Sequence, residues 1–476
     1  MKKHSGSALL TDLYQLTMAC GYHAHGRHLD RACFHLFYRR APFGGGYAVA
    51  AGLGRALEWL EGLRVEPEEV EYLRSLKRFP EAFLELLSGA ELSLDVAAIP
   101  EGTLAYPHEP MLRVEGPLWQ AQLVETALLN MVNFETLIAT KAARVCDVAR
   151  DDEGQRESVL EFGLRRAQGP DGALSASRAA YLGGCTASSN VLAGATYGIP
   201  IAGTHAHSWV MTFGNDEEAF RRYAEVFPDS SVFLVDTFDT EEGVAAAIDV
   251  AREMRARGEE LRGIRLDSGD LCALSIRARE MLDEAGFDTV QIVASNDLDE
   301  YRIAELKKNG ARIDVWGVGT RLTTAFDQPA LGGVYKLGAV QVGGEWEPRM
   351  KFGQRPIKRS IPGRLQVRRG ATMDVIERVG EAATGSAYHP ESDEAHPVDA
   401  ELQPLLVDVM RDGRRTEAAA DATDLKAARA RALAAVDALP SEQRRHESPE
   451  VRFVGMEESL AAERRGWKHS QKKSGQ

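Results

Sequence analysis

Six times between residues 160 and 320 an apolar, β-rich run ends in polar residues and hands over to a helical segment. The runs end at Leu160-Glu161-Phe162-Gly163, Ile201-Ala202-Gly203-Thr204, Phe233-Leu234-Val235-Asp236, Ile264-Arg265-Leu266-Asp267, Ile292-Val293-Ala294-Ser295 and Val315-Trp316-Gly317-Val318-Gly319-Thr320. Val334-Tyr335-Lys336-Leu337 is a candidate seventh. Between them, Val244, Ala247, Ile248, Ala251 and Met254 mark one helical face, and Leu271, Leu274, Ala278, Met281 and Leu282 another. Near-continuous apolar strands alternating with helices imply parallel strands covered by helices. Six or seven such units close more economically into an α/β barrel than into an open sheet. In a barrel the C-terminal strand ends share one mouth, so the polar groups that end these runs converge.

The rest of the chain is less regular. Thr11 to Met18 reads as a helix start with Thr11 as N-cap and Asp12 favoured by the helix dipole. Cys33 to Arg40 is strand-like and leads into the Gly-rich turn Ala41–Tyr47 and an apolar helix from Ala48 to Leu60. Glu66 to Ser88 is a charged helical scaffold, Leu94 to Gly116 a small β-rich unit, and Leu118 to Ala149 a long helical pattern. After Leu337 the alternation stops. A basic, loop-rich section follows, then strand-like runs at Asp374–Arg378 and Leu405–Met410 and a helix from Leu425 to Leu439. The expected organisation is an N-terminal α/β domain over 1–130, a barrel domain over 131–345, a C-terminal segment over 346–461 packing on the N-terminal domain, and a flexible tail over 462–476.

A chain of 476 residues has ample length for two cores. No stretch is long and apolar enough for a membrane span, and the N-terminus carries no apolar signal core. Five scattered cysteines point to reduced thiols in the cytoplasm and away from a disulfide framework. A net charge of −14 argues against nucleic-acid and membrane-surface partners. It leaves anionic small molecules open, because screening confines the influence of distant charge.

Three sets of residues carry chemistry. Gly203-Thr204-His205-Ala206-His207-Ser208 puts two imidazoles and two hydroxyls on a small-residue loop at a strand end. Arg165 and Arg166 follow one strand end and Arg265 lies in another, offering planar forks for carboxylate or phosphate. Asp236, Asp239, Asp267 and Asp270 supply acids, and Gly317, Gly319 and Thr320 offer backbone N–H groups and a hydroxyl late in the barrel, where phosphate commonly binds. Taken singly, Gly-Val-Gly is equally a tight turn and Asp-Ser-Gly-Asp a helix cap. Together in one mouth they suggest a phosphorylated anion with Mg²⁺. A zinc hydrolase would also use His205-Ala206-His207, but it needs further ligands from later strands, and the next histidine is His389.

In order along the chain, Thr11-Asp12-Leu13-Tyr14-Gln15, Tyr38-Arg39-Arg40-Ala41-Pro42-Phe43, Glu161-Phe162-Gly163-Leu164-Arg165-Arg166-Ala167-Gln168-Gly169, Gly203 to Ser208, Val235-Asp236-Thr237-Phe238-Asp239-Thr240, Arg265 to Asp270, Gly317 to Thr320 and Ile361-Pro362-Gly363-Arg364 resemble the nicotinate phosphoribosyltransferase family. The resemblance implies an irregular TIM-like (β/α) barrel with a second α/β domain built from N-terminal and C-terminal segments, in a homodimer with shared active sites. It implies conversion of nicotinate and 5-phosphoribosyl-1-diphosphate into nicotinate mononucleotide and diphosphate, with ATP as co-substrate, Mg²⁺ as cofactor and His207 as the phosphorylated histidine. Tyr14, contributed by the partner subunit, and Phe162 match the aromatics that stack on the pyridine ring. Thr204 and Arg265 match nicotinate contacts, Arg165 and Thr320 match phosphoribosyl diphosphate contacts, with Gly317 and Gly319 beside Thr320, and Asp236 and Asp267 lie where the family's acids lie. Ser189 falls where the related nicotinamide enzyme carries an Asp, and a neutral residue there favours nicotinate. The chain departs from the family's usual Gly-Thr-Ser-Asn with Ala187-Ser188-Ser189-Asn190, and His205 occupies a variable position, which makes it non-essential.

Overall fold

Five of the six runs form strands of one parallel sheet: β1 (Ser158–Glu161), β3 (Val232–Leu234), β4 (Gly263–Leu266), β5 (Gln291–Ala294) and β6 (Val315–Val318), joined by a two-residue strand β2 (Ala187–Ser188). The order across the sheet is β2-β1-β6-β5-β4-β3, with every neighbouring pair parallel. The sixth run contributes one parallel bridge, Ile201 to Ser188, on the outer side of β2. At the opposite edge, the Leu234 N–H of β3 donates to His205 Nε2 at 3.3 Å. The two edge strands, β2 and β3, do not pair with each other.

The structure is a computed structural model describing residues 6–383, 385–399 and 401–470. The chain divides into two units, Lys141–Pro329 and Met1–Thr140 with Ala330–Gln476. The expected breaks at 130 and 345 are therefore displaced. The first fell inside a continuous helix, Glu125–Val148, and an apolar helix gives no sequence signal where one core hands over to the next. The second fell beyond Val334–Val342, which pairs antiparallel with Arg31–Phe37 and belongs to the second unit, not to a barrel. Its apolar character is that of any central strand; only its partner reveals its place. The expected tail at 462–476 begins as helix, since Glu458–Ser470 is helical, and residues 471–476 lie outside the described residues.

Three helices of the first unit, Thr240–Ala256, Leu271–Glu284 and Glu300–Lys308, start where an aspartate side chain caps their free N–H groups. Asp239 accepts from Glu242 N at 3.0 Å, Asp270 from Cys272 N at 3.0 Å and Asp299 from Arg302 N at 2.8 Å. Asp239 and Asp270 each spend Oδ1 on a helix cap, one of the two roles the sequence leaves open for Asp-Ser-Gly-Asp. The buried faces of Thr240–Ala256 and Leu271–Glu284 include Val244, Ala247, Ile248, Ala251, Met254, Leu271, Ala278 and Leu282, as the spacing predicts; Leu274 and Met281 are not among them.

The second unit is built from both ends of the chain. Its seven-stranded antiparallel sheet runs Glu345–Pro348, Val334–Val342, Arg31–Phe37, Leu112–Pro117, Asp95–Ala98, Val407–Arg411 and Arg414–Arg415. A six-stranded mixed sheet is centred on Met373–Arg378 and Phe453–Glu457. The Glu66–Ser88 stretch is two helices, Pro67–Ser75 and Glu81–Ser88, whose Val70, Leu73, Phe83, Leu84 and Leu87 pack with Leu16, Trp119 and Leu123. The first helix among the described residues begins at Leu13, with Asp12 and not Thr11 as its N-cap. Asp12 N–H donates to Gln15 Oε1 at 2.8 Å, while the Thr11 hydroxyl donates to the Leu123 carbonyl at 3.0 Å.

Candidate active site

Arg265 on β4 is the centre of the strand-end network. Its side chain is nearly buried, and each guanidinium nitrogen has an assigned neighbour. Nε donates to Ser295 Oγ at 2.9 Å, Nη1 to Thr204 Oγ1 at 2.8 Å, and Nη2 lies 3.0 Å from Asp267 Oδ1. Its central carbon sits 5.7 Å from the Phe162 ring centroid. A planar fork held on three sides keeps one orientation, and its remaining N–H groups are the ones a ligand carboxylate would use.

The acids beside it are used differently from each other. Burial opposes ionisation of Asp267, but the Ser295 hydroxyl, Arg265 and His207 outweigh it and hold the carboxyl below the usual carboxylate range. Asp236 Oδ2 accepts from Asp267 N–H at 2.8 Å and Ser268 Oγ at 2.6 Å, whereas its Oδ1 is buried with no hydrogen-bond partner among the described residues. A buried, unpaired carboxylate oxygen is costly, and one that faces a site is an available ligand atom.

The two histidines of the loop diverge. His207 opens the helix His207–Phe213, its side chain 39% exposed, with Nδ1 3.1 Å from Thr237 Oγ1 and Nε2 3.7 Å from Asp267 Oδ2. His205 is buried, meets the Tyr223 ring edge-on at 4.9 Å and accepts the Leu234 N–H. Burial, together with the charge of Arg265, pushes its pKa down to about 4, so its ring is neutral near pH 7. Taken from sequence as non-essential, it joins its loop to β3. A His-Ala-His metal pair is not formed, because the His205 Nε2 lone pair is occupied by a backbone donor.

Phe162 is buried against Gly317, where a Cβ would lie 2.6 Å from the ring. Gly317 lies inside β6, so its lack of a side chain serves the Phe162 ring rather than a phosphate turn. At Gly319 a Cβ would come 3.3 Å from the Phe162 carbonyl. Thr320 begins the short helix Thr320–Thr323. Arg165 lies in the turn Leu164–Arg166, exposed and without an ion pair among the described residues. Ser189 is anchored to Glu161, its N–H donating to the Glu161 carbonyl at 3.0 Å and its hydroxyl to the same oxygen at 3.4 Å.

Phe162, Thr204, His207, Asp236, Arg265, Asp267 and Gly317 therefore form one contiguous network, with Ser189, Gly319, Thr320 and Arg165 on the adjoining turns. Tyr14 belongs to the other unit, where it is 47% exposed. Partial burial and the nearby Glu125 push its hydroxyl up to about 12. Sequence reasoning gave no role to Ser295, which bridges Arg265 and Asp267, or to Glu161. It also passed over Asn296 and Asp297, consecutive non-glycine residues at φ 97° and 46° just after β5. An Asn-Asp pair at a strand end was the available signal, since these residues tolerate left-handed backbone and strained backbone gathers at functional sites.

Two family models match the chain: the nicotinate phosphoribosyltransferase N-terminal domain over residues 9–133 and the nicotinate phosphoribosyltransferase family over residues 158–359. The nicotinate phosphoribosyltransferase of Bacillus subtilis is 50% identical over 368 residues, covering 77% of this chain and 74% of that one. One from Mycobacterium tuberculosis is 41% identical over 446 residues, covering 93% and 90%. The crystal structure of human nicotinic acid phosphoribosyltransferase superimposes with a TM-score of 0.82 at 34% identity, covering 96% of this chain and 99% of that one.

Proposed function

Since the chain belongs to the nicotinate phosphoribosyltransferase family, we propose that its strand-end network joins nicotinate to 5-phosphoribosyl-1-diphosphate, giving nicotinate mononucleotide and diphosphate in NAD biosynthesis. The observation that carries this reading is Arg265, a fixed guanidinium beside the buried Phe162 ring. A flat aromatic acid needs a surface for its face and a cation for its carboxylate, and these two groups supply both. Ser189 and Thr204 are neutral, so neither repels that carboxylate. Held in this way, the pyridine nitrogen is presented to the anomeric carbon, and alignment replaces the need for a strong base. The ribosyl centre passes through an oxocarbenium-like state, so stabilisation comes from fixed charge around the sugar and the leaving diphosphate. Arg165, exposed and in no ion pair among the described residues, and the backbone of Gly319 and Thr320 are suited to the phosphates.

Mg²⁺ fits this donor set as a substrate-borne ion. Among the described residues no three His, Cys, Asp or Glu side chains gather as a metal cage. The free Asp236 Oδ1 is a single anionic donor of the kind Mg²⁺ takes alongside phosphate oxygens and water. Bound there, the ion would neutralise charge on the departing diphosphate.

ATP enters through His207. Its imidazole is half-exposed at a helix N-terminus, between the Thr237 hydroxyl and the Asp267 carboxylate, and an imidazole can accept a phosphoryl group as nucleophile. The added negative charge would shift affinities for the phosphorylated ligands, which couples hydrolysis to synthesis. We also read the six-stranded sheet as an irregular barrel. The Ile201 bridge to β2 and the His205 hydrogen bond to β3 come from one loop, and together they support closure through that loop.

A homodimer with shared sites accounts for two features. Leu164, Val191, Leu192, Met211, Phe238 and Phe326, in the connections that follow the strands, are all exposed large apolar residues. Tyr14 is exposed with Leu10, Leu13 and Met18 beside it, and a second copy would supply it to the ring. Five free thiols support a cytoplasmic setting, and no described helix is long and apolar enough to cross a membrane.

The test is to mix the purified chain with nicotinate, phosphoribosyl diphosphate, Mg²⁺ and ATP and follow nicotinate mononucleotide. Product from nicotinate and not from nicotinamide is expected; no product, or product only from nicotinamide, overturns the reading. His207→Ala is expected to abolish stimulation by ATP while leaving slow ATP-independent transfer. An unchanged ATP response refutes that role.

A further inference from the structure

We infer that Glu161 is a positioning residue for the aromatic-acid pocket, its buried carboxylate tying the Phe162 turn to the Ser188–Asn190 turn. The inference rests on the reading of Phe162 and Ser189 as nicotinate contacts.

Glu161 ends β1 with 1% of its surface exposed, so it cannot itself touch a ligand in an open site. One carboxylate oxygen accepts the Gly163 N–H. The other accepts the Ser177 hydroxyl at 2.8 Å and the Ser188 hydroxyl at 2.6 Å. Ser188 Oγ in turn accepts the Asn190 N–H at 2.9 Å, and Asn190 Nδ2 donates to Ser177 Oγ at 3.1 Å. Ser177, Ser188 and Asn190 are all buried, so the four residues form a closed polar ring in an apolar setting. No cation pairs with Glu161 among the described residues; neutral donors alone hold the carboxylate. A group that accepts three hydrogen bonds through two oxygens is what converging backbone and hydroxyl donors require.

The ring leaves no slack. A Cβ at Gly163 would lie 2.4 Å from Thr323 Cβ and 2.8 Å from Glu161 Oε1. Phe162 is pressed against Gly317 on one side and attached to this turn on the other. Ser189 hangs from the Glu161 carbonyl. The side chain of one residue thereby sets the spacing between the aromatic wall and the neutral residue opposite a carboxylate-bearing ring. Arg265, Asp267 and His207 are held by different partners, Ser295, Thr204 and Thr237, so the two halves of the site separate under mutation.

The full-length Glu161→Ala, Glu161→Gln and Ser177→Ala variants test this. The readouts are the nicotinate KM, the phosphoribosyl diphosphate KM, and the acid-labile phosphate that ATP places on His207 without nicotinate. Glu161→Ala is expected to raise the nicotinate KM about tenfold or more with phosphohistidine formation near wild type. Glu161→Gln keeps an acceptor for Gly163 N–H and lets the serine hydroxyls turn, so it is expected within about threefold of wild type. If Glu161→Ala fails to fold, Ser177→Ala decides, with an expected rise of about two- to fivefold in nicotinate KM alone. An unchanged nicotinate KM in the folded variant, or parallel loss of nicotinate binding and His207 phosphorylation, overturns the inference. Wild-type protein that makes no nicotinate mononucleotide refutes the underlying functional reading instead.

Discussion

Two clusters in this molecule both pair guanidiniums with carboxyl groups and behave in opposite ways. In the second unit, Arg369 and Arg452 hold the fully buried Asp374, with Arg369 Nη2 2.6 Å and Arg452 Nε 2.9 Å from its oxygens. Burial, with the charge of Asp374, pushes the Glu109 carboxyl well above the usual range. Burial opposes ionisation of Asp374 too, but the Glu109 hydrogen bond and Arg369 prevail and hold it below that range. A carboxylic acid, a carboxylate and two guanidiniums thus face one another; Glu109 Oε1 has no donor among the described residues, but Glu109 and Asp374 are sealed from solvent. In the first unit, Arg265, Asp267 and Asp236 also pair, but Asp236 Oδ1 is left over and His207 stands half in solvent. The chemistry of a site comes from what the fold leaves incomplete, not from the residue types it gathers.

The contrast is sharpest under truncation. Arg369→Ala leaves the buried Asp374 carboxylate with Arg452 as its one remaining counter-charge and is expected to cost about 3 kcal/mol of stability, read by denaturant unfolding. The folded fraction should keep the nicotinate KM of wild type. Arg265→Ala should do the reverse. It should lower kcat/KM for nicotinate by about 10²-fold, roughly 2.7 kcal/mol, with a smaller change in stability. Matching stability losses with matching kinetics would erase the distinction between the clusters.

Gly317→Ala probes the wall of the site. The new methyl must displace the Phe162 ring, since its Cβ would sit 2.6 Å from it. Overpacking of this kind costs about 1–3 kcal/mol, and the nicotinate KM should rise while phosphoribosyl diphosphate binding is spared. Equal effects on both substrates would show that Phe162 does not face the aromatic ring.

The smallest expected effect concerns pH. The pKa of His205 lies at about 4 in the folded chain, below an ordinary value of 6.5. Between these values the unfolded chain binds a proton that the folded chain refuses, so stability is present above pH 6.5 and is lost as pH falls toward 4. His35 and His108 in the second unit are depressed by burial too, to about 3 and about 4, and steepen the same limb. His205→Gln offers an amide oxygen to Leu234 N–H and does not titrate. It should flatten part of this slope in thermal melts between pH 4 and 6.5, while a variant with the wild-type slope would remove His205 from the account.

Much of the first unit was legible because local pattern and tertiary role coincide there. Strands β1, β3, β4, β5 and β6 are each an apolar run closed by polar residues, and Thr204, Arg265 and Asp267 stand at run ends, where the fold gathers them. What the pattern could not tell was pairing. Val334–Val342 has the same apolar profile but finds Arg31–Phe37 as its neighbour, three hundred residues back in the chain. Residues acting at one remove were equally silent. Glu161, Ser295 and His205 matter through hydrogen bonds to residues distant in sequence, and a lone Glu, Ser or His in a strand-end motif carries no mark of that. Asp270 shows the converse, since an acid inside an apparent ion-binding cluster spends its carboxylate on capping a helix.

The most direct measurement is a crystal structure of the chain with nicotinate bound. The account predicts the pyridine ring against Phe162 and its carboxylate within hydrogen-bonding distance of the Arg265 guanidinium and Thr204. A nicotinate bound away from Arg265, or with its carboxylate turned from it, would contradict the account.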